Sequence, residues 1–134
     1  MAEAALRRSV EMLPAGDTEV RLSVSGDETW ANPDILDEVF LMVREALRNA
    51  IMHAEAATVA ARIDIAPHEV HAVVQDDGIG FTSEVSPAGH MGLTGMRDRV
   101  ALLGGLIAIT SAPGQGTSIE VHVPLMGATG GSSD

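Results

Sequence analysis

Apolar residues recur at helical spacing from Pro33 to about Ala54, where Leu36, Val39, Phe40, Val43, Leu47 and Ala50 fall on one stripe of a long helix. Asn32 is placed to cap that helix, with Pro33 at its first position. Elsewhere the period is two. EVRLSVS (19–25) alternates as a half-buried strand, and TVAARIDIA (58–66) and VHAVVQD (70–76) read as two more. The short link Pro67-His68-Glu69 makes the last two an antiparallel hairpin. LIAITSA (106–112) and GTSIEVHVPL (116–125) form a final strand pair across the turn PGQG. GLTGMRDRVALLGG (92–105) is helical from about Thr94 and is stopped by its glycine pair. Residues 1–13 form a short helix or the tail of a longer one, ending before Pro14. Residues 77–91 carry no credible element and read as a mobile loop.

The order is strand, long helix, two strands, loop, helix, two strands. Neighbouring strands with tight links imply a mixed, mostly antiparallel sheet with helices on one face, an α/β sandwich of two layers. A doubly wound parallel fold needs a helix between successive strands, and two of these strand pairs lack one. The expected organisation is a linker or remnant of an upstream helix over 1–17, one folded domain over 18–125, and a flexible tail, MGATGGSSD, over 126–134.

Composition narrows the partners. The 134 residues suit a single domain, and 46% hydrophobic content excludes wholesale disorder. The net charge is −11 and all eight basic residues are Arg, which disfavours nucleic acid and anionic membrane as partners. The absence of Lys excludes a Walker A phosphate loop, and the absence of Cys excludes disulfides and thiolate metal sites. No apolar run approaches the roughly 20 residues of a membrane span, and the N-terminus has no secretory apolar core.

Four patterns could carry chemistry. Glu45, Asn49 and His53 are four apart on the long helix, lining one side away from the apolar stripe. The amide oxygen of Asn49 is a hard ligand suited to Mg²⁺, and Glu45 one turn away could orient or deprotonate an attacking group. In QDDGIGF (75–81), Asp76 ends a strand and is placed to accept from an exocyclic amine such as that of adenine, with glycines letting the backbone approach a base. GLTGMR (92–97) puts glycine-rich backbone and Arg97 at a helix start, a natural phosphate site. GQGT (114–117) leads into the last strand. Taken singly, each has an ordinary reading: a solvated helix face, a glycine turn, a helix N-terminus and a hairpin turn.

In this order the four patterns closely resemble the asparagine box and the three glycine boxes of the histidine-kinase ATPase domain, the Bergerat (GHKL) fold shared with Hsp90, type II topoisomerases and MutL. The resemblance covers about residues 18–125. The forms REALRNAIMHA and GLTGMRDRV are similar to those of the NarL-type bacterial sensor kinases. It implies ATP and Mg²⁺ as cofactors. It further implies that Asn49 ligates the metal, Glu45 helps activate the acceptor and His53 stands near the phosphates. Asp76 would bind the adenine amine, with Gly78 and Gly80 as the floor beside the base. Residues 81–91 would form a lid, hinged on a phosphate cradle of Gly92, Leu93, Thr94 and Gly95 that runs on through Met96 and Arg97, and Thr117 would support Asp76.

The implied reaction is transfer of the γ-phosphoryl group to a histidine on a separate dimerisation domain, with a response regulator downstream and a cytoplasmic location, whether the parent kinase is soluble or membrane-bound. No His precedes His53, so the expectation is an excised catalytic domain, monomeric and unable to autophosphorylate. Two other readings stay open: a serine kinase of the anti-sigma-factor type on the same fold, and a non-catalytic adenine-nucleotide-binding module.

Overall fold

A computed structural model describes residues 2–14, 16–53, 56–78 and 87–125. In chain order the elements are α1 (Ala2–Glu11), β1 (Glu19–Gly26), a short 3-10 turn (Glu28–Trp30), α2 (Pro33–His53), β2 (Thr58–Ile65), β3 (Glu69–Asp76), α3 (Pro87–Leu102), β4 (Leu106–Ser111) and β5 (Thr117–Pro124). The strands form one sheet in the order β1-β2-β3-β5-β4. β1 runs parallel to β2, and every other neighbouring pair is antiparallel. The expected two-layer α/β sandwich with a mixed, mostly antiparallel sheet is therefore the fold observed.

Strand alternation decides which face is covered. Val59, Ala61, Ile63 and Ile65 of β2, Val70, Ala72 and Val74 of β3, and Ile119, Val121 and Val123 of β5 are all buried. They meet the apolar side of α2, where Leu36, Val39, Phe40, Val43, Leu47 and Ala50 are buried as their spacing predicts. Each large aliphatic side chain removed from water here contributes about 1.5–3 kcal/mol, so this single interface dominates the stability of the domain. The residues between them in the strands, Arg62, Asp64, His71, Gln75, Ser118, Glu120 and His122, lie on the uncovered face. The α2 cap is also as expected: Asn32 Oδ1 accepts from the Asp34 amide at 2.7 Å. α1 packs along α2 and contributes Leu6 and Val10 to the same core. The tail 126–134 lies outside the described residues.

One expectation needs correction. α3 starts at Pro87 rather than near Thr94, so the segment assigned to a loop through residue 91 is helical from 87 onward. Proline is well suited to the first turn, since its missing N–H has no intrahelical partner there. The early turns were hidden because Gly89, Gly92 and Gly95 each disfavour helix by about 1 kcal/mol relative to Ala. The hinge expected at 92–95 is accordingly helical backbone in this structure.

Candidate functional site

The corner at the end of β3 is built from two strands. Val70, Ala72 and Val74 point to the helices, so Asp76 continues the covered row while Gln75 faces out. Its direct partner across the β3–β5 ladder is Thr117. Asp76 Oδ1 accepts from the Gly78 amide at 2.9 Å. Burial pushes the Asp76 carboxyl above its usual range, against the lowering effect of hydrogen bonds from the Gly78 and Thr117 backbone amides; the charge of Asp77 raises it slightly further. Among the described residues no cationic side chain pairs with this half-buried carboxylate, which can accept a further donor.

The two adjacent acids do different work. Asp77 has left the strand, and its Oδ1 accepts from the amides of Ala57 and Thr58 at 2.9 and 3.0 Å, while its own amide donates to the Thr58 carbonyl. It therefore fastens the end of β3 to the beginning of β2. Asp77→Ala is expected to cost about 1–2 kcal/mol, because two amides lose their acceptor at an exposed site. Urea unfolding measures this, with nucleotide affinity changing less than stability.

Behind the corner, Gly116 has a positive φ of 75°, and a Cβ there would fall on the Asp76 carbonyl oxygen. The glycine is thus required by close backbone approach and not only by the turn. Thr117 Oγ1 is 2.9 Å from Ser111 Oγ, which in turn donates to the Gly116 carbonyl at 3.1 Å. Ser111 was not picked out from sequence: its role depends on the β4–β5 register, in which it opposes Thr117. An open depression of about 620 Å³ at this end of the sheet is lined partly by Thr58, Ala60, Gln75 and Ser118. These belong to the uncovered face, so it approaches the corner from the side opposite the helices.

On α2, Glu45 and Asn49 are both partly buried and lie off the apolar stripe, as expected. Glu45 stands 3.7 Å from Arg48, an exposed i,i+3 ion pair of little energetic weight. Gly78 is buried beside Asp76. On α3, Arg97 and Gly95 are exposed. The Met96 side chain is not: it is buried against α2 and the sheet, where with Val39, Met42, Val74 and Ile119 it borders a void of about 10 Å³, room for a single water at most. Its side chain therefore serves the core, which leaves only its backbone to the expected phosphate segment. Gly80 and residues 79–86, together with the side chains of His53, Gly92, Leu93 and Thr94, lie outside the described residues.

A family model for Histidine kinase-, DNA gyrase B-, and HSP90-like ATPases matches residues 34–127, spanning both the α2 face and the β3–β5 corner. The chain belongs to this ATPase family. Relatives within the family are sensor histidine kinases. LiaS of Bacillus subtilis is 34% identical over 98 residues, covering 73% of this chain and 27% of that protein. NarQ of Escherichia coli, a nitrate/nitrite sensor protein, is 38% identical over 81 residues, covering 60% of this chain and 14% of NarQ. NarS of Mycobacterium tuberculosis is 36% identical over 91 residues, covering 65% and 21%. The chain thus spans about a quarter or less of the relatives it matches.

Solved structures agree on the fold of this family. The histidine kinase domain of the Erythrobacter litoralis EL346 blue-light activated kinase superposes with a TM-score of 0.68 at 22% identity, covering 93% of this chain and 59% of that one. The mycobacterial sensor kinase MprB gives 0.65 at 22% identity, covering 92% and 93%. Among the described residues, no helix is long and apolar enough to cross a membrane.

Proposed function

We propose that the chain is the ATP-binding catalytic domain of a sensor histidine kinase, which positions ATP for transfer of its γ-phosphoryl group to a histidine on a separate dimerisation domain, with a response regulator downstream. The observation that carries this reading is the Asp76 carboxylate: half-buried, fixed by backbone amides, raised in pKa by desolvation, and set on the covered row at the end of β3. Such a group suits the exocyclic amine of adenine, which would add a donor to those of the Gly78 and Thr117 amides. Gly78 leaves the base room to lie against the backbone, and Thr117 holds Asp76 from the neighbouring strand.

The same reading gives α2 the phosphate end. Asn49 and Glu45 sit one turn apart, off the core stripe and partly buried, a donor set of hard oxygens that fits Mg²⁺. When bound, the metal offsets phosphate charge, which phosphoryl transfer needs more than covalent help from the protein. Asn49 would hold it, Glu45 would accept the proton of the incoming nucleophile or orient it, and His53 would stand near the phosphates. Arg97, exposed on α3, is available to the phosphate tail. The backbone of 92–95 would serve as the expected cradle only if this part of α3 opened, since its amides are spent within the helix here.

Histidine as acceptor is favoured over serine because the matched relatives are sensor histidine kinases. The test is a reconstituted transfer assay. The chain, ATP and Mg²⁺ are offered a histidine-bearing dimerisation domain from a sensor kinase, and separately a serine-bearing anti-sigma antagonist. Acid-labile phosphate on the first alone is the expected result, and Asn49→Ala is expected to remove it. Acid-stable phosphate on the second would transfer the assignment to the serine kinases, and ATP binding without transfer to either would reduce it to a nucleotide-binding module.

A further inference from the structure

The sheet face turned away from the helices carries a cluster that the nucleotide site does not use. His71 of β3 and His122 of β5 are direct cross-strand partners, with ring centroids 4.2 Å apart and planes 20° from parallel. Glu120 lies two residues from His122 on the same face of β5. Its Oε2 is 2.6 Å from His71 Nε2 and 3.4 Å from His122 Nε2. One ligand atom from each of the three residues lies within 4.8 Å of the others. We propose that His71, Glu120 and His122 bind a divalent transition metal ion, with Zn²⁺ the ion that this donor set fits best.

The donor chemistry selects the class of ion. Two imidazoles and a carboxylate suit zinc and its first-row neighbours, whereas Mg²⁺ and Ca²⁺ prefer sites made of oxygen. Tetrahedral bonds of 2.0–2.2 Å put neighbouring ligand atoms about 3.3 Å apart. The Glu120–His122 spacing is already of that size. The Glu120–His71 contact must open slightly, and the two stacked rings must turn out of parallel about their side-chain bonds so that both Nε2 lone pairs converge on the ion. Water completes the fourth position. β3 and β5 are interior strands, each paired on both sides, so the backbone beneath the ligands is rigid.

The surroundings match. Glu69 Oε1 is 3.5 Å from His122 Nδ1, placed to hold that nitrogen's proton while Nε2 faces the ion. Asp64, the partner of His71 on β2, is already engaged by Ser25 and Arg62, so it adds negative field and leaves the ligand role to Glu120. Without metal, a hydrogen bond between His71 Nε2 and Glu120 Oε2 joins the pair and holds the Glu120 carboxyl below its ordinary range. An ion would take the place of that contact.

Zn²⁺ alone, without ATP or Mg²⁺, is titrated into the chain at mildly alkaline pH by calorimetry, and Co²⁺ absorption reports the coordination geometry. The expected result is one saturating equivalent with affinity on the order of micromolar, a tetrahedral cobalt spectrum, and a melting temperature that rises with Zn²⁺. His71→Ala and His122→Ala each abolish all three, while Glu69→Gln weakens binding by about tenfold. His68→Ala, in the β2–β3 turn, changes none of them. Circular dichroism and unchanged ATP affinity verify that the variants are folded. Retained binding in folded His71→Ala and His122→Ala would overturn the proposal, as would an absence of saturable binding up to about millimolar Zn²⁺.

Discussion

Replacing Asp76 by Asn is expected to weaken ATP binding by roughly 30- to 150-fold, the loss of a charge-assisted hydrogen bond worth about 2–3 kcal/mol. Asn preserves the shape, and its oxygen can still accept from the Gly78 amide. That leaves its NH₂ facing the adenine amine, donor against donor. Stability should move the other way. Burial raises the folded-state pKa of Asp76 above its unfolded value, so the folded protein binds more protons than the unfolded one in the window between them. Stability therefore falls as pH rises through that window, and at neutral pH the ionised carboxylate opposes folding. Asp76→Asn removes that opposition. Calorimetric titration of ATP with and without Mg²⁺, beside thermal melts at neutral and acidic pH, measures both effects. A melting temperature equal to or above that of the parent, with ATP binding lost, is the expected pair of results. ATP binding unchanged by the substitution would put the base elsewhere.

Gly116→Ala is expected to lower the melting temperature by roughly 10 °C. A left-handed backbone at a non-glycine residue costs about 1–2 kcal/mol, and displacing backbone atoms in a packed region adds about 1–3 kcal/mol; each kcal/mol moves the midpoint by about 2–5 °C at this size. Gly114→Ala supplies the comparison. Its φ of 78° is nearly the same, but a Cβ there meets nothing within 4 Å. Only the conformational part applies, so its shift should be less than half as large. Because the obstruction is the Asp76 carbonyl itself, Gly116→Ala should also weaken ATP binding, while Gly114→Ala should not. Equal shifts for the two variants would mean that the strand ends can separate freely.

The architecture was legible wherever one face of an element is buried and the other is not. The stripe Leu36 to Ala50 on α2 and the alternation in β2, β3 and β5 each encode burial directly, and the structure buries those positions. The start of α3 was less legible, because propensity and structure disagree at Gly89, Gly92 and Gly95. The burial of the Met96 side chain became legible only with the packing of α3 against α2 and the sheet.

The site was legible in its residue types and less so in its joints. The motif order singled out Asp76 and Thr117, yet their direct pairing depends on the β3–β5 register, which joins distant segments. The pair Asp76-Asp77 looks equivalent in sequence. Parity separates them, since Val70, Ala72 and Val74 continue into Asp76 and leave Asp77 past the strand end. Ser111, His71 and His122 required the strand order and could not have been grouped without it.

The β3–β5 ladder also bears on the order in which the molecule assembles. β2–β3 and β4–β5 are hairpins closed by tight turns, and such local pairings require little loop-closure entropy. β3 and β5 come from different hairpins and meet only when these dock edge to edge, with α3 lying between them in the chain. Asp76 and Thr117 form the rung at one end of that seam. Neither hairpin alone contains the Asp76–Thr117 pair, so a nascent or partly folded chain can hold most of its secondary structure and still lack that corner. With adenine at that corner as proposed, nucleotide binding would report that the two halves have joined.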